Sequence, residues 1–355
     1  MDIKRFIFNR PLGLRDIWGL RAIFSIIFIR LCRPKVFINL LLFLYNGIFK
    51  REKVSHLPLY LMLEPSSRCN LKCKMCWRTL YKFNRAECDM PYAKFKEIID
   101  KIGDSLFFVG LWNYGEPLLN PELSRMIAYC SKKGIVTVLS TNGILLDRAK
   151  SLDLFAAGLK YLIICVDGIT EDVYREYRNT AKLAEVENNV RQACILKQEK
   201  KSKFPILELQ FIVMKGNEHQ VDGFFPLAYS WGLDRATLKK VSTLKSFKLA
   251  NDFLPQNDQY LLDCYKDTGL RKGFCSIPWQ TLVINADGGV IPCCSDYFSI
   301  EKMGNIFIED ISKIWNNRYI DFRRRIKQNI NSSDICSYCP HGSGDAGSFI
   351  AARQF

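Results

Sequence analysis

Three cysteines stand close together early in the chain, just after the apolar run 59–63. Cys69, Cys73 and Cys76 are separated by three and then two residues. Three thiolates on one short loop can hold three irons of a four-iron cluster and leave the fourth iron without a protein ligand. An open position on a bound metal is a place where chemistry can occur. A structural zinc site is the alternative, but it normally takes four ligands, and Cys88 is the only further cysteine nearby.

A second set of cysteines lies in the last quarter of the chain. The set comprises Cys275, Cys293, Cys336 and Cys339. Between its first two members, apolar runs at 281–286 and 290–292 flank Asp287-Gly288-Gly289, a pattern that predicts a β-hairpin. Four such thiolates can occupy all four corners of a second cluster, although zinc also suits four cysteines. Cys294 directly follows Cys293, so the spacing leaves open which of the two is a ligand, and Cys264 is a reserve candidate.

The elements that must position the first cysteines alternate between apolar runs and amphipathic segments. The predicted strands are Leu59–Leu63, Leu106–Leu111, Ile135–Leu139, Tyr161–Val166, Leu207–Val213 and Ala236–Val241. Helices are predicted at 95–102 from apolar spacing, from Asn120-Pro121 to Gly134 from start and stop signals, and at 182–200. Six βα units predict an α/β fold with a parallel sheet and helices outside it.

Candidate site residues follow the second, third and fourth predicted strands. They are Gly115, Glu116, Ser140, Thr141, Asn142, Asp167 and Arg178. Loops after the strands of a βα barrel carry its chemistry. Glu116 is a natural partner for a bound cation, and Arg178 can form a fork with a carboxylate. The alternatives are a turn at Gly115-Glu116-Pro117, helix capping by residues 140–142, and a solvated surface arginine.

These motifs, in this order, resemble the radical S-adenosylmethionine (radical SAM) superfamily over about residues 58–242. The superfamily carries the same cysteine spacing after its first strand, a GGEP motif after its second and an S-x-D-G stretch after its fourth. Here Tyr114 replaces the first glycine of GGEP, Cys165 replaces the serine, and Met75 replaces an aromatic residue before the third cysteine. The resemblance implies a partial (β/α)6 barrel of the TIM-like kind.

The resemblance also implies cofactors and roles. A [4Fe-4S] cluster on Cys69, Cys73 and Cys76 would bind S-adenosylmethionine through its amino and carboxylate groups, and an electron from an external donor such as ferredoxin or flavodoxin would start radical chemistry. Gly115 and Glu116 would receive the ammonium of S-adenosylmethionine. Ser140, Thr141 and Asn142 would bond its ribose or carboxylate, and Arg178, in the stretch that includes Asp167, would pair with the carboxylate.

The C-terminal region resembles the SPASM/twitch extension of some radical SAM enzymes, on its cysteines and on Gly304-Asn305-Ile306 followed by Trp315. A full SPASM region has further cysteines after the C-x-x-C pair, and none follows Cys339 here. The resemblance therefore implies one auxiliary [4Fe-4S] cluster, held by Cys275, Cys336, Cys339 and, in the family pattern, Cys293. Asp296 is a candidate catalytic base near it, or a turn-forming residue. His341 and Asp345 are weaker candidates.

The first 55 residues differ from the rest of the 355-residue chain. They carry a net charge of +8 out of +15 and two apolar runs, 22–31 and 36–49, separated by Pro34. Each run is shorter than the roughly 18 residues of a membrane span. The pattern predicts an anchor lying on a membrane surface; a helical hairpin packed on the barrel is the alternative. The aromatic residues lie among Ile and Leu, so nucleic acid is not an expected partner.

Together these features predict four segments: a basic apolar segment 1–55, a core 56–242, a linker 243–262 and an auxiliary-cluster region 263–355. Cysteines clustered at short spacings predict metal binding in a reducing cytoplasm. If residues 1–55 form a membrane anchor, the protein lies at the cytoplasmic face of the membrane. Cys32, Cys130, Cys165 and Cys194 are predicted to be plain buried thiols.

The function predicted is that of an oxidoreductase which abstracts hydrogen from a carbohydrate, an alcohol or a membrane-associated metabolite. A maturase of a ribosomally made peptide is the first alternative. It is placed second because residues 1–55 lack the strand alternation of a peptide-recognition module. A non-catalytic iron–sulfur or zinc protein is the second alternative, and the loops after the strands argue against it.

Overall fold

A single mixed sheet forms the centre of the protein. The computed structural model describes residues 30, 32–81, 85–242, 252–262, 265, 274–337, 339 and 349–355. Its strands are β1 (Tyr60–Leu63), β2 (Phe108–Leu111), β3 (Val136–Thr141), β4 (Tyr161–Cys165), β5 (Ile206–Val213), β6 (Arg235–Lys240), β7 (Thr281–Ile284), β8 (Gly289–Ile291), β9 (Gly304–Asn305) and β10 (Phe349–Gln354). Their order across the sheet is β10-β6-β5-β4-β3-β2-β1-β7-β8-β9.

Strands β1 to β6 are parallel neighbours in chain order, which confirms the predicted α/β fold. All six predicted strands are present, with ends that differ by one or two residues. The sheet is an open partial barrel, because its outermost strands β10 and β9 do not pair with each other. A parallel sheet covered by helices is buried on both faces, which explains why these strands appear in the sequence as continuous apolar runs.

Helices cover the sheet. They are α1 (Pro34–Ile48), α2 (Trp77–Leu80), α3 (Tyr92–Ile102), α4 (Leu123–Lys132), α5 (Arg148–Ala156), α6 (Glu171–Arg178), α7 (Leu183–Glu199), α8 (Val221–Trp231), α9 (Ile277–Gln280), α10 (Ile311–Trp315), α11 (Arg318–Gln328) and α12 (Asp334–Ser337). α3 buries Phe95, Ile98, Ile99 and Ile102, the residues whose spacing predicted it. α4 begins at Leu123, later than predicted, because residues 121–122 form a turn that Asn120 Oδ1 closes by accepting from Glu122 N.

The C-terminal region continues the core sheet. β7 pairs in parallel with β1, placing Thr281 beside Tyr60, and β8 returns antiparallel to β7 as the predicted hairpin. β9 then pairs with β8, while β10 pairs antiparallel with β6 at the opposite edge. Cys275 and Cys293 therefore flank strands that extend the core sheet, and the C-terminal region does not pack on the barrel as a separate sheet.

Helix α1 confirms that the second apolar run near the N-terminus is helical. Its Asn39 exchanges two hydrogen bonds with the backbone of Leu57, and Asn46 donates to the ring of buried His56. Within the first apolar run, 22–31, only Arg30 belongs to the described residues, and residues 1–29 lie outside them. Among the described residues, no helix is both long and apolar enough to cross a bilayer.

The four cysteines predicted to be plain buried thiols differ in their surroundings. Cys130 and Cys194 are buried, as predicted. Cys32 is exposed, so that prediction was wrong, because it lies in the turn before α1 and not within an apolar helix face. Cys165 is only half-buried and ends β4 close to the residues described next.

Candidate active site

The first three cysteines lie on the loop between β1 and α2, at the carboxyl-terminal end of the parallel strands. The loop is tied to its neighbours by two hydrogen bonds, from Lys74 N to Tyr177 O at 3.0 Å and from Asn142 Nδ2 to Asn70 Oδ1 at 2.8 Å. Because of the second bond, the loop after β3 holds the cysteine loop in place. Asn142 is one of the residues that the sequence singled out.

The three thiols share one environment. Burial, with smaller contributions from the nearby Glu116, Cys73 and Cys76, raises the pKa of Cys69 to about 11. Burial also raises the pKa of Cys73, although the Arg178 guanidinium opposes this shift. A positively charged metal centre binds the thiolate form of such thiols and displaces their protons, so metal binding overcomes a raised pKa. The donor set therefore fits a cluster bound by three thiolates.

Gly115 and Glu116 lie against this loop. A Cβ atom at Gly115 would come within 2.0 Å of the Ser66 carbonyl oxygen, so only glycine fits there. The buried Glu116 carboxylate accepts hydrogen bonds from Thr141 Oγ1 at 2.8 Å, Asn142 N at 2.9 Å and Leu118 N at 3.0 Å. Burial raises its pKa, and these three bonds oppose the shift. Glu116 thus joins the loops after β2 and β3, and its predicted contact with an ammonium group stays a prediction.

Asp167 and Arg178 form a buried ion pair beside the cysteines. Arg178 also donates to the Cys165 carbonyl at 3.2 Å and lies 3.8 Å from Cys73 Sγ, while Asp167 accepts from Ile212 N at 2.9 Å. Burial lowers the pKa of Arg178, but Asp167, Cys73, Tyr177 and Tyr174 together outweigh this and hold it well above its ordinary value. Arg178 therefore neutralises charge next to a cysteine, and its predicted contact with a ligand carboxylate stays a prediction.

The remaining predicted polar residue, Ser140, places its Oγ 3.5 Å from Cys165 Sγ. A cavity of about 380 Å³ adjoins the cysteine loop close to these groups. Its lining includes Lys74, Asp167, Tyr177, Met214 and Asn217. This volume lies within the range of small-molecule sites.

The second set of cysteines gathers around the end of β8 and around α12. Burial raises the pKa of Cys293 well above its ordinary value, and Cys294, Cys339 and Cys336 raise it further. Burial likewise raises the pKa of Cys294 to about 11, with Cys339 and Cys275 among the neighbours that add to the shift. All four predicted ligands and Cys294 therefore belong to one group of thiols, and Cys293 and Cys294 both remain candidates. Cys264 lies outside the described residues.

This thiol-only donor set fits an iron–sulfur cluster. Ser295 N also donates to Cys293 Sγ at 3.4 Å, a bond of the kind that stabilises a ligating sulfur. In the described part of the chain, no three His, Cys, Asp or Glu side chains are close enough to hold a single metal ion.

Asp296 is fully buried after this pair of cysteines. One carboxylate oxygen accepts from Ile300 N at 2.8 Å and the other from Glu301 N at 3.0 Å. Burial raises its pKa to about 6, and the two bonds oppose the shift. The carboxylate thus stabilises the turn 296–301, in agreement with the alternative that Asp296 is a turn-forming residue. Its role as a catalytic base stays a prediction. His341 and Asp345 lie outside the described residues.

Aromatic side chains connect the two sets of cysteines. Trp77, which follows Cys76, stacks on Tyr297 with ring centroids 4.2 Å apart and an angle of 22° between the planes. Tyr114 packs against Tyr297 at 5.4 Å and donates its hydroxyl hydrogen to the Cys294 carbonyl at 2.8 Å. Both sets therefore lie at the same end of the barrel, in contact through these rings.

Glu64, at the end of β1, was missed by the sequence analysis. Its buried carboxylate pairs with both terminal nitrogens of Arg85, at 2.8 and 3.1 Å. It also accepts from Tyr114 N at 3.2 Å and Ala286 N at 3.0 Å, so that it joins the loop after β2 to the hairpin. An acidic residue directly after an apolar strand was the signal that could have revealed it.

Comparisons with known proteins agree with this geometry. A family model described as the radical SAM superfamily matches residues 63–206. The chain is therefore a radical SAM enzyme, with a [4Fe-4S] cluster and S-adenosylmethionine as its cofactors. A second model, SPASM, described as an iron–sulfur cluster-binding domain, matches residues 275–340. The protein thus belongs to the radical SAM enzymes that carry a C-terminal SPASM domain.

Three curated relatives align with most of the chain. The tungsten-containing aldehyde ferredoxin oxidoreductase cofactor-modifying protein of Pyrococcus furiosus is 23% identical over 79% of this chain and 86% of its own length. The subtilosin biosynthesis protein AlbA of Bacillus subtilis is 24% identical over 74% of this chain, which spans only 60% of AlbA. The PqqA peptide cyclase of Gluconobacter oxydans is 23% identical over 73% of this chain and 76% of its own length.

Solved structures share the fold. Streptococcus suis SuiB bound to S-adenosylmethionine superimposes with a TM-score of 0.62 at 15% identity, covering 85% of this chain and 81% of SuiB. SuiB bound to its precursor peptide SuiA gives a TM-score of 0.58. At this identity the likeness establishes the fold alone.

Proposed function

We propose that this radical SAM enzyme oxidises a carbon atom in a peptide substrate, as a peptide maturase does. The observation that carries the proposal is the set of aromatic ring contacts that joins the surroundings of the two sets of cysteines at one end of the barrel. A substrate bound there lies within reach of both. Among the relatives, the subtilosin biosynthesis protein and the PqqA peptide cyclase are named for peptide or bacteriocin products. They support the peptide alternative more than the carbohydrate or alcohol substrate that the sequence pattern favoured.

The chain's own residues have separable tasks in this proposal. When bound, the cluster and S-adenosylmethionine supply a radical able to remove a hydrogen atom from a carbon of the substrate. Gly115 lets the backbone approach the cysteine loop closely. Glu116 offers a carboxylate to a cation while it fixes the loop after β3. Arg178 places a positive charge beside Cys73, which favours the ionised thiolate there.

The second set of cysteines suits the oxidation that completes the reaction. Loss of one hydrogen atom and then one proton leaves the substrate with one electron to give up. Cys275, Cys293 or Cys294, Cys336 and Cys339 would hold an auxiliary cluster able to accept this electron, and an external one-electron carrier such as ferredoxin or flavodoxin would remove it. Asp296 remains the candidate base for this proton only if the turn 296–301 opens, because its side chain is fully buried.

The test is anaerobic reconstitution of the full chain, followed by incubation with S-adenosylmethionine, dithionite and synthetic peptides encoded by short reading frames beside the gene. We expect about eight irons per chain, as two cubane clusters require. We also expect 5′-deoxyadenosine and a peptide that has lost two hydrogen atoms by mass spectrometry. The triple variant Cys69→Ala, Cys73→Ala and Cys76→Ala should give neither product and should retain about half of the iron.

The substrate class is tested in the same reaction. Cyclitols and sugar alcohols replace the peptides in a parallel assay. Oxidation of one of these, with every peptide unchanged, would show that the carbohydrate interpretation is correct. An iron-free protein that binds zinc and does not cleave S-adenosylmethionine would contradict the enzyme class itself.

A further inference from the structure

Helix α1 is apolar on its outward side as well as on the side that packs Val36 and Phe43 into the core. Its protein-facing side includes two polar residues, Asn39 and Asn46, which are buried at 7% and 1% exposure. Its outward side is apolar. The exposed residues of this side and its C-cap are Phe37, Ile38, Leu41, Tyr45, Ile48 and Phe49, each between 44% and 59% exposed. A helix normally turns its apolar stripe to the core and its polar residues to water.

These six side chains form one continuous stripe. Residues 37, 41, 45 and 48 follow one another at the spacing of a helix face, and 38 and 49 widen it on one side. They account for half of the large apolar side chains that are exposed in the described residues. Contiguous exposed apolar surface of this kind marks an interaction site. The stripe therefore needs an apolar partner.

Basic residues border both ends of the stripe. Arg33 and Lys35 lie exposed before its first residue, and Lys50, Arg51 and Lys53 follow its last. Arg51 lies over the Tyr45 ring at 4.7 Å and donates to its hydroxyl at 2.9 Å, which places a cation beside the apolar stripe. Basic and aromatic residues at the edges of an apolar helix face are the arrangement that binds the interface of an anionic membrane.

We infer that α1 lies in the surface of an anionic lipid bilayer, with its apolar stripe among the acyl chains and its basic ends at the headgroups. With fifteen residues, the helix is about 22 Å long, shorter than the roughly 30 Å hydrocarbon core, so it lies along the surface. Pairing with a second copy of this chain is disfavoured, because a two-fold axis would bring basic ends together. Asn39, Asn46 and His56 fix the helix to the barrel, so the barrel would be held at the membrane.

The experiment is flotation of the reconstituted full chain with vesicles of phosphatidylcholine alone or mixed with phosphatidylglycerol. We expect flotation with the mixed vesicles, and less of it at high salt because the basic ends are screened. The double variant Ile38→Glu/Leu41→Glu should bind at least about tenfold more weakly, since it places two charges in the apolar stripe. The control variant is Ile308→Glu, which changes an apolar residue that is 85% exposed elsewhere, and it should float like the wild type.

Two further measurements exclude other partners. If Ile38→Glu/Leu41→Glu lowers the melting temperature while flotation is unchanged, residues of this chain cover the stripe and the inference is wrong. If the variant converts a dimer to a monomer by light scattering without changing flotation, a second copy covers the stripe and the inference is again wrong. The absence of wild-type flotation with either vesicle would also overturn it.

Discussion

At the scale of single residues, the structure gives several predicted site residues a structural partner. Glu116 is held by three donors, Asp296 by two, and Arg178 by Asp167. Such contacts are compatible with ligand binding, because a carboxylate oxygen has two lone pairs and a guanidinium has five N–H donors. They show that each residue first fixes a loop around the cysteines.

The Asp167–Arg178 pair gives a prediction at this scale. Arg178→Met should lower the free energy of unfolding by about 3–5 kcal/mol, because it leaves the fully buried Asp167 carboxylate without its counter-charge. Adding Asp167→Asn should recover part of this loss, since the amide oxygen can still accept from Ile212 N. Anaerobic urea unfolding of the wild type, Arg178→Met, Asp167→Asn and the double variant measures the coupling.

Arg148→Met is the matched control for this cycle. Its ion pair with Glu199 is half exposed on both sides, so its loss should have only a small fraction of the effect. Equal losses for Arg178→Met and Arg148→Met would show that burial of the first pair contributes nothing.

At the scale of elements, the sequence predicted the positions of helices and strands better than it predicted which residues they contact. The six parallel strands were recognisable because each is an apolar run followed by turn residues. The start of α4 was misplaced because a turn at residues 121–122, closed by the Asn120 side chain, precedes the first helical residue. The sequence offered docking of α1 on the barrel only as an alternative, because no local pattern pairs Asn46 with His56.

His56 gives a prediction for α1. Burial lowers its pKa to about 4 from 6.5; its ring accepts from Asn46 and donates to the Trp279 carbonyl. The unfolded chain therefore takes up a proton at higher pH than the folded protein. Stability is retained above pH 6.5 and falls as the pH decreases towards 4, by about 3 kcal/mol at the acid end.

Urea unfolding between pH 7 and pH 4 measures this loss. The variant His56→Gln keeps a polar side chain but cannot be protonated, so its stability should depend less on pH over this interval. If wild type and His56→Gln lose stability in parallel, another group is responsible for the acid effect.

At the scale of the whole molecule, the SPASM region and the barrel share one sheet. β7 lies beside β1, and Glu64 at the end of β1 accepts from Tyr114 of the barrel loop and Ala286 of the hairpin. The relative position of the two sets of cysteines is therefore set by strand pairing and by one buried carboxylate. A shared sheet is a stiffer connection than a linker would be.

This arrangement predicts a coupled response to Arg85→Met. The Glu64 carboxylate would lose its buried counter-charge, so amide hydrogen exchange should accelerate both around Tyr114 and around Ala286. Arg325→Met, which breaks a more exposed pair with Glu301, should affect only its own neighbourhood. Faster exchange at only one of the two sites in Arg85→Met would refute the coupling. Mass spectrometry of exchanged peptides provides the measurement.

The sequence alone determined the chemistry that the protein can perform. Cysteine spacing, loop motifs and apolar periodicity are local properties, so they identified both sets of cysteines, the six strands and the helical character of α1. Only the tertiary structure decided how these parts meet. Whether β7 continues the core sheet, which carboxylates are occupied by backbone donors and which face of α1 is exposed all depend on contacts between residues far apart in the chain, and a local pattern carries no record of such contacts.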